Sequence, residues 1–186
     1  MFSIRVDKEI SLKLPTIKNA DEFFALVERN RTFLRQYLPW VDHTLSVENS
    51  KTYIKECRKQ FKSDSGYSLC IFYRQNIVGA ISSHYIDQID CKTEIGYWLA
   101  EDQQGKGIMR RSCLALMTYL FETLQLHRIE IRTVLNNLTS QRIPEKLGFT
   151  KEGILRESAY INDKFHDVLI YGLLASDFNK KMLTRH

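Results

Sequence analysis

The sequence predicts a mixed α/β fold, in which a mostly antiparallel sheet is flanked by amphipathic helices. Three observations lead to this prediction. Apolar runs of strand length follow one another closely in the middle of the chain, segments of helical periodicity lie before and after them, and two apolar runs near the end are spaced as a hairpin. With 186 residues, 44% hydrophobic and 26% charged, the composition is that of one soluble globular domain covering residues 1–186.

The first part of the chain combines one short strand with helices. The strand is predicted at 10–14 and the helices at 19–30, 31–37 and 47–62. In the last of these, apolar residues recur at i, i+1, i+4 and i+8, which is a spacing typical of an amphipathic helix.

Three apolar runs follow at 67–73, 77–86 and 93–99. Only Arg-Gln-Asn separates the first two, which predicts a tight hairpin, and a polar turn precedes the third. Consecutive strands with such short links form an antiparallel meander.

A helix is predicted from residue 107 onward, where the apolar period changes to three and four. The residues at this spacing are Arg110, Cys113, Leu114, Met117, Leu120, Phe121 and Leu124, and the six apolar ones form a stripe that should pack on the sheet.

The remaining elements bring the number of strands to about seven. A strand at 128–135 precedes a short helix at 139–147, which Gly148 should close. Two strands at 150–161 and 164–174 then form a hairpin around Asn-Asp, and a short polar helix ends the chain.

Composition restricts the class of function. No apolar run approaches the roughly 20 residues that span a bilayer, and the start MFSIRVDKEI lacks the apolar core of a signal peptide. We therefore expect a cytoplasmic protein with no membrane contact.

The four cysteines and the net charge restrict the partners. The cysteines are widely spaced without a CxxC pair, which favours reduced thiols over a metal site or disulfides; they are Cys57, Cys70, Cys91 and Cys113. The net charge of +5 favours acidic partners, but the basic residues are dispersed, unlike those of typical nucleic-acid-binding segments.

The turn DQQGKG at 102–107 joins a predicted strand to a predicted helix. The first turn of a helix presents unpaired N–H groups and a positive dipole end, so such a turn can bind an anion. Alternatively, Gly105 and Gly107 only supply positive φ angles in a connection. The chain has no Gly-x-x-x-x-Gly-Lys-Ser/Thr motif, and its single Gly-x-Gly lacks the third glycine of a dinucleotide-binding fold.

The same turn resembles the acetyl-CoA signature of the GNAT N-acetyltransferases, Gln/Arg-x-x-Gly-x-Gly/Ala, except that Asp102 stands at the Gln/Arg position. Further similar segments cover nearly the whole chain: YLPWVD (37–42), EIGYWL (94–99), NNLTS (136–140), EKLGF (145–149) and NDKFHD (162–167). Together they resemble the branch that acetylates the N-termini of ribosomal proteins. This resemblance implies acetyl-CoA as cosubstrate, no metal, and a sheet that opens between its fourth and fifth strands.

The resemblance also implies three groups of cofactor-binding residues. Trp98, Leu99 and Ala100 would form the strand edge for pantetheine and supply an oxyanion hole. The pyrophosphate would lie against Gln104, Gly105, Lys106, Gly107, Ile108 and Met109. Asn137 would bind the pantetheine amide and Ser140 would donate to the departing thiolate, although both are also ordinary helix-capping residues.

Attack of an amine on a thioester requires a base, because the ammonium form dominates at pH 7. Glu94 is the first candidate, since the resemblance places it where several GNAT enzymes carry their base; a structural role at a strand end is the alternative. The ribosomal branch can instead use an acid where this chain has Ala159. Glu157 lies two residues earlier, on the same face of an extended strand, and is the second candidate.

Protonation of the leaving thiolate falls to Ser140. Many GNAT enzymes use a tyrosine where this chain has Pro144, and a proline is tolerated there if it falls near the first turn of its helix. The cysteines lie outside the matched motifs, so direct transfer is favoured over an acyl-enzyme.

Acceptor-binding residues are expected at Tyr37, Trp40, Asp42 and His43, although Trp40 can also be a core residue. The acceptor would be a protein N-terminus or a small-molecule amine such as a polyamine or an aminoglycoside. A non-catalytic acyl-CoA-binding or RNA-associated module is the third interpretation. Ribosome association and a homo-oligomer stay open.

Overall fold

The computed structural model describes residues 2–183, in which eight strands form one sheet. The strands are β1 (Ser3–Arg5), β2 (Ile10–Lys13), β3 (Tyr67–Tyr73), β4 (Asn76–Asp87), β5 (Lys92–Leu99), β6 (Arg128–Val134), β7 (Thr150–Ile161) and β8 (Lys164–Leu174). Their order in the sheet is β1-β2-β3-β4-β5-β6-β8-β7, and every neighbouring pair is antiparallel except β5 and β6. The predicted mixed, mostly antiparallel sheet is confirmed.

Helices cover both faces of the sheet. They are α1 (Ala20–Arg29), α2 (Arg31–Arg35), α3 (Val47–Lys62), α4 (Ile108–Thr118), α5 (Leu138–Leu147) and α6 (Ala175–Leu183). Short 3₁₀ turns lie at Ile17–Asn19, Pro39–His43 and Glu101–Gln103, and α4 continues into a π-helical turn at Tyr119–Thr123.

Two apolar clusters hold these layers together, one on each face. On what we call the rear face, side chains of the central strands pack with residues of α4, such as Leu116 and Met117. On the front face, Cys70 and Ala80 pack with Phe23, Val27 and residues of the segment after α2. Because side chains alternate along a strand, β5 contributes to both faces: Ile95, Tyr97 and Leu99 to the rear, and Glu94, Gly96 and Trp98 to the front.

The sheet opens between β5 and β6. These parallel strands are paired only from Lys92–Glu94 to Arg128–Glu130, at their amino-terminal ends. Beyond Glu94, β5 stays paired with β4, and β6 stays paired with β8 as far as Val134. The two halves of the sheet therefore diverge, as the resemblance implied for the fourth and fifth strands, which become β5 and β6 once the additional strand β1 is counted.

Three local features differ from the sequence-based expectations. The strand β1 has only three residues, too few for a recognisable alternation, and it pairs with β2 across a turn in which Asp7 Oδ1 accepts the N–H groups of Glu9 and Ile10 at 2.8 and 2.9 Å. The buried stripe of α4 runs through Ser112 and Leu116, whereas Leu114 is only partly buried. Pro144 lies inside α5 and not near its first turn, so the condition under which a proline is readily tolerated is not met.

The closing hairpin has the predicted Asn162–Asp163 turn, with φ angles of 51° and 60°. It is less regular in its middle. Leu155 pairs with Val168 and Ala159 with His166, so residues 156–158 form a bulge opposite Asp167.

Candidate functional site

The start of α4 is an open backbone surface at the carboxyl end of β5. Gly105 and Gly107 have φ angles of 76° and 70°, which other residues adopt only with strain, and no atom lies within 4 Å of a Cβ built on either glycine. The first helical bond is donated by Arg111 to the Gly107 carbonyl at 3.1 Å. Within residues 2–183 the backbone N–H groups of 105–110 have no hydrogen-bond acceptor, so several donors point into open space at the positive end of the helix dipole.

The loop before these glycines is held by its own side chains. Gln104 Nε2 donates to the Leu99 carbonyl at 3.1 Å and ties the loop to the end of β5. Lys106 Nζ donates to Gln103 Oε1 at 2.9 Å, and Gln103 Nε2 donates to Asp102 Oδ2, also at 2.9 Å. Asp102, the departure from the GNAT signature, therefore bonds to its neighbour in the loop and leaves the backbone donors uncovered.

The edge of β5 that faces the opening carries backbone N–H groups that no neighbouring strand pairs. Ala100 donates its N–H to the Val78 carbonyl at 2.9 Å, on the β4 side, so the amide of Ala100 is not on the open edge. Peptide groups alternate in direction along an antiparallel strand, so the N–H groups of Leu99 and Tyr97 face the opening. Among Trp98, Leu99 and Ala100, Leu99 is therefore the residue with a backbone donor in the position expected of an oxyanion hole.

Tyr97 connects β5 to α5 across the opening, and sequence analysis missed it. Its hydroxyl donates to the Ser140 carbonyl at 2.9 Å, and Ser140 Oγ lies 3.4 Å from the Tyr97 hydroxyl. In a regular helix the N–H four residues later would bond to this carbonyl, but Pro144 has none. Pro144 leaves the Ser140 carbonyl without its helical donor. This need for another donor is the sequence signal by which Tyr97 could have been found.

Asn137 and Ser140 are both at the start of α5. Asn137 Oδ1 accepts the N–H of Ser140 at 3.1 Å, so Asn137 caps the helix, as the structural alternative proposed. The cap occupies the oxygen of the amide side chain, and the Nδ2 donor has no acceptor within residues 2–183. Burial raises the pKa of Tyr97, so the phenol next to the Ser140 hydroxyl is neutral at physiological pH.

Glu94 lies on the front face where β5 and β6 begin to diverge. Its Oε2 is 3.2 Å from Nε of Arg132, and 34% of the Glu94 side chain is exposed. Burial raises the pKa of this carboxyl, and nearby Glu130 acts in the same direction, while Arg132 lowers it; the net shift is upward. The ion pair expected of a structural carboxylate and the raised pKa expected of a base are both present.

The reasoning that favoured Glu157 is wrong for this segment, because β7 is not regularly extended there. Glu157 is in the bulge with a φ angle of 51°, and its N–H donates to Asp167 Oδ1 at 2.9 Å. Alternation therefore does not carry its side chain to the face of Ala159. The exposed Glu157 side chain is left as a weaker candidate for the base.

Tyr37 and Trp40 lie near the opening. The Tyr37 hydroxyl donates to the Asn136 carbonyl at 3.2 Å, which connects the segment after α2 to the loop after β6. The ring centroid of Trp40 is 5.8 Å from that of Trp98, so Trp40 packs at the rim of the front cluster. Half-buried Trp40 therefore packs with the core and also forms part of the wall of the opening.

Asp42 and His43 are not brought into the opening by any contact. Asp42 accepts hydrogen bonds from Arg35 Nε, with the nearer oxygen at 2.8 Å, and both side chains are largely exposed. His43 is exposed at the end of its 3₁₀ turn.

The cysteines are free, and three of them, Cys57, Cys70 and Cys113, are buried. Burial raises the pKa of Cys57 to about 11, so this thiol is protonated at neutral pH and is a poor nucleophile. Over residues 2–183 the structure has no cluster of His, Cys, Asp or Glu suited to a metal ion, and within the same range no helix has the length and apolar character needed to cross a membrane.

Comparison with known proteins shows which family this fold and site belong to. The family model of the acetyltransferase (GNAT) domain matches residues 9–150. YdaF of Bacillus subtilis (strain 168), named as a candidate ribosomal N-acetyltransferase, is 34% identical over 179 residues, covering 96% of this chain and 98% of YdaF.

Two solved structures carry the cofactor. RimL, a ribosomal L7/L12 alpha-N-protein acetyltransferase in complex with coenzyme A, superposes with a TM-score of 0.91 at 27% identity, covering 95% of this chain and 99% of RimL. MccE, the microcin C7 self-immunity acetyltransferase in complex with acetyl-CoA and AMP, superposes with a TM-score of 0.88 at 27% identity, covering 91% and 94% of the two chains. The protein described here therefore belongs to the GNAT family and is an N-acetyltransferase that uses acetyl-CoA.

Proposed function

We propose that the protein transfers the acetyl group of acetyl-CoA directly to the N-terminal α-amine of a protein, in particular a ribosomal protein. One observation carries the chemical part of this proposal: the unpaired edge of β5 lies beside the unbonded N–H groups at the start of α4. An edge of this kind can pair with the amides of pantetheine, while the helix start binds a diphosphate.

Each part of acetyl-CoA has a partner in this arrangement. The pyrophosphate lies against the amides of residues 105–109, and the pantetheine arm extends along β5 toward the opening. The free Nδ2 of Asn137 donates to a pantetheine carbonyl, because its Oδ1 is occupied by the helix cap. The N–H of Leu99 donates to the thioester oxygen and stabilises the negative charge that develops there.

The amine attacks after it has lost a proton. On this proposal the carboxylate of Glu94, whose pKa is raised, lies at the front of the opening and assists the loss of this proton. The nitrogen lone pair forms the new C–N bond, the C–S bond breaks, and the electrons of that bond go to sulfur. The Ser140 hydroxyl, held beside the Tyr97 phenol, donates its proton to the thiolate and takes up the remaining extra proton of the acylated nitrogen, so the products are the neutral amide and the thiol of coenzyme A. The high thiol pKa of buried Cys57 favours this direct route over an acyl-enzyme.

A protein N-terminus is favoured as acceptor by two relatives named for ribosomal substrates, YdaF and RimL, each aligned over nearly the whole chain. A small-molecule amine is the second candidate, because MccE, a structural neighbour of similar TM-score, is named for microcin immunity. A ribosomal substrate would bring with it a cytoplasmic location and contact with ribosomal protein.

The test measures coenzyme A release with a panel of acceptors. Peptides with free N-termini should be acetylated, the same peptides with blocked N-termini should not, and mass spectrometry should locate the acetyl group on the α-amine. Turnover with spermidine or aminoglycosides but with no peptide would establish the second candidate. Acetyl-CoA binding without turnover of any amine would contradict both.

A further inference from the structure

His84 occupies a position on the front face that the motifs did not indicate. It lies in β4 directly opposite Glu94 of β5, and directly opposite residues of neighbouring strands share a face, with Cβ atoms about 5 Å apart. The side chain of His84 is therefore beside that of Glu94, at the place where β5 and β6 diverge.

The imidazole leans over β5 because the next front-face position on that strand is a glycine. A Cβ built on Gly96 would lie 2.9 Å from His84 Nε2, a distance that real Cβ atoms essentially never show. It would lie 3.3 Å from His84 Cδ2, which is closer than most real Cβ contacts. The ring thus occupies the space that any other residue at 96 would fill. Gly96 is two residues beyond Glu94, about 7 Å along the strand, and is already within the open part of β5.

The ring nitrogens of His84 are unoccupied. Neither has a hydrogen-bond partner in the part of the chain that the structure describes, although the residue is half-buried. The side chains beside it are Glu94 from β5 and Tyr85, whose ring centroid lies 6.2 Å from that of the imidazole. Burial lowers the pKa of the imidazole, so the ring is neutral at pH 7 and has a lone pair available.

Glu94 differs from His84 in being paired, since Arg132 lies 3.2 Å from its carboxylate. Proton transfer to Glu94 would leave the Arg132 charge without this partner, whereas proton transfer to His84 breaks no hydrogen bond or ion pair. Both neighbouring groups have an acceptor atom available, since only Oε2 of Glu94 is engaged by Arg132, but protonation of the imidazole leaves every ion pair intact.

We infer that His84 is a catalytic residue whose imidazole takes the proton of the acceptor ammonium, and that Gly96 leaves the space over β5 in which this ring lies. This inference rests on the proposed acetyl transfer. An N–H bond of the ammonium breaks and its proton goes to the imidazole; the electron pair of that bond stays on nitrogen, attacks the thioester carbonyl carbon and displaces the thiolate. The second proton of the attacking nitrogen then passes to the thiolate through the Ser140 hydroxyl, which gives the neutral amide and the free thiol of coenzyme A. The imidazolium then returns its proton to solvent. Glu94 stabilises the positive charge that His84 acquires.

The test compares His84→Gln with the parent protein from pH 6 to pH 9, using an acceptor peptide. Glutamine keeps a polar atom near the position of Nε2 but cannot accept a proton in this range. We expect kcat/KM to fall about 100-fold at pH 7, the usual contribution of a general base. The deficit should shrink toward pH 9, because an α-amine with a pKa of about 8 then loses its proton without help.

Two further variants separate catalysis from folding. His84→Asn should reproduce the pH-dependent deficit with a smaller side chain. Gly96→Ala should do the same while keeping His84, because its methyl group displaces the ring. The matched control is His127→Gln, an exposed histidine just before β6, which should behave as the parent.

Acetyl-CoA affinity, measured by calorimetry, should stay within about twofold of the parent in every variant. Unchanged kcat/KM for His84→Gln at all pH values, or a deficit that stays constant from pH 6 to pH 9, would overturn the assignment of His84 while leaving the acetyltransferase function intact. Absence of acetyl-CoA turnover by the parent protein would instead contradict the proposed function itself.

Discussion

Removal of the Tyr97 hydroxyl should weaken the connection between β5 and α5. In Tyr97→Phe the Ser140 carbonyl loses its donor, and Pro144 prevents the helix from supplying another. A partly buried carbonyl without a partner costs about 1–3 kcal/mol of unfolding free energy. For a domain of this size each kcal/mol corresponds to about 2–4 °C in Tm.

The proline offers a way to isolate this one hydrogen bond. In Pro144→Ala, residue 144 regains an N–H that can donate to the Ser140 carbonyl, four residues earlier. Tyr97→Phe should therefore cost less in the Pro144→Ala background, by at least about 1 kcal/mol. Pro144→Ala has other consequences of its own, including greater freedom of the unfolded chain, but these cancel in the comparison.

The assay is urea denaturation of the parent, both single variants and the double variant, from which the coupling energy follows. Tyr67→Phe is the control, because the Tyr67 hydroxyl bonds to Asp64 at 3.1 Å, far from Pro144 in the chain, and its cost should be equal in both backgrounds. If the effects of Tyr97→Phe and Pro144→Ala add within about 0.5 kcal/mol, the hydroxyl does not replace the missing helical bond.

Three further predictions concern the site and its support. Gly107→Ala should lower the unfolding free energy by about 1–2 kcal/mol, the cost of a left-handed conformation without steric contact, and calorimetry should show weaker acetyl-CoA binding; unchanged affinity would argue against phosphate contact there. If Glu94 must be ionised, the parent's kcat should decline as pH falls through its raised pKa, and the part of this decline that Glu94 causes should be missing in Glu94→Gln. Burial raises the pKa of Asp7, but backbone donors and Arg111 outweigh burial and hold it low. Asp7→Ala should therefore lower Tm at pH 7, and the difference should disappear as pH falls below about 4, whereas a constant difference would exclude the charge as its cause.

Much of the fold follows from local patterns in the sequence. The meander at 67–99 and the closing hairpin combine apolar runs with short polar turns, and α3 has a clear helical period, so their observed bounds lie within one or two residues of the predicted ones. The three-residue strand β1 was missed because a pattern needs more residues than that to be visible. The π-helical turn after α4 interrupts a regular period, which sequence spacing alone assumes to continue.

The sequence by itself determined the family resemblance, the helix start at residue 107 and the strand that leads to it, because these depend on residues close together in the chain. Only the tertiary structure decided which distant groups meet. It placed the Tyr97 hydroxyl on the carbonyl that Pro144 leaves free, bent β7 at Glu157, and laid the ring of His84 over Gly96 beside Glu94. Each of these depends on strand register, bulges and the space left by a missing side chain, and pairing between distant segments sets all three.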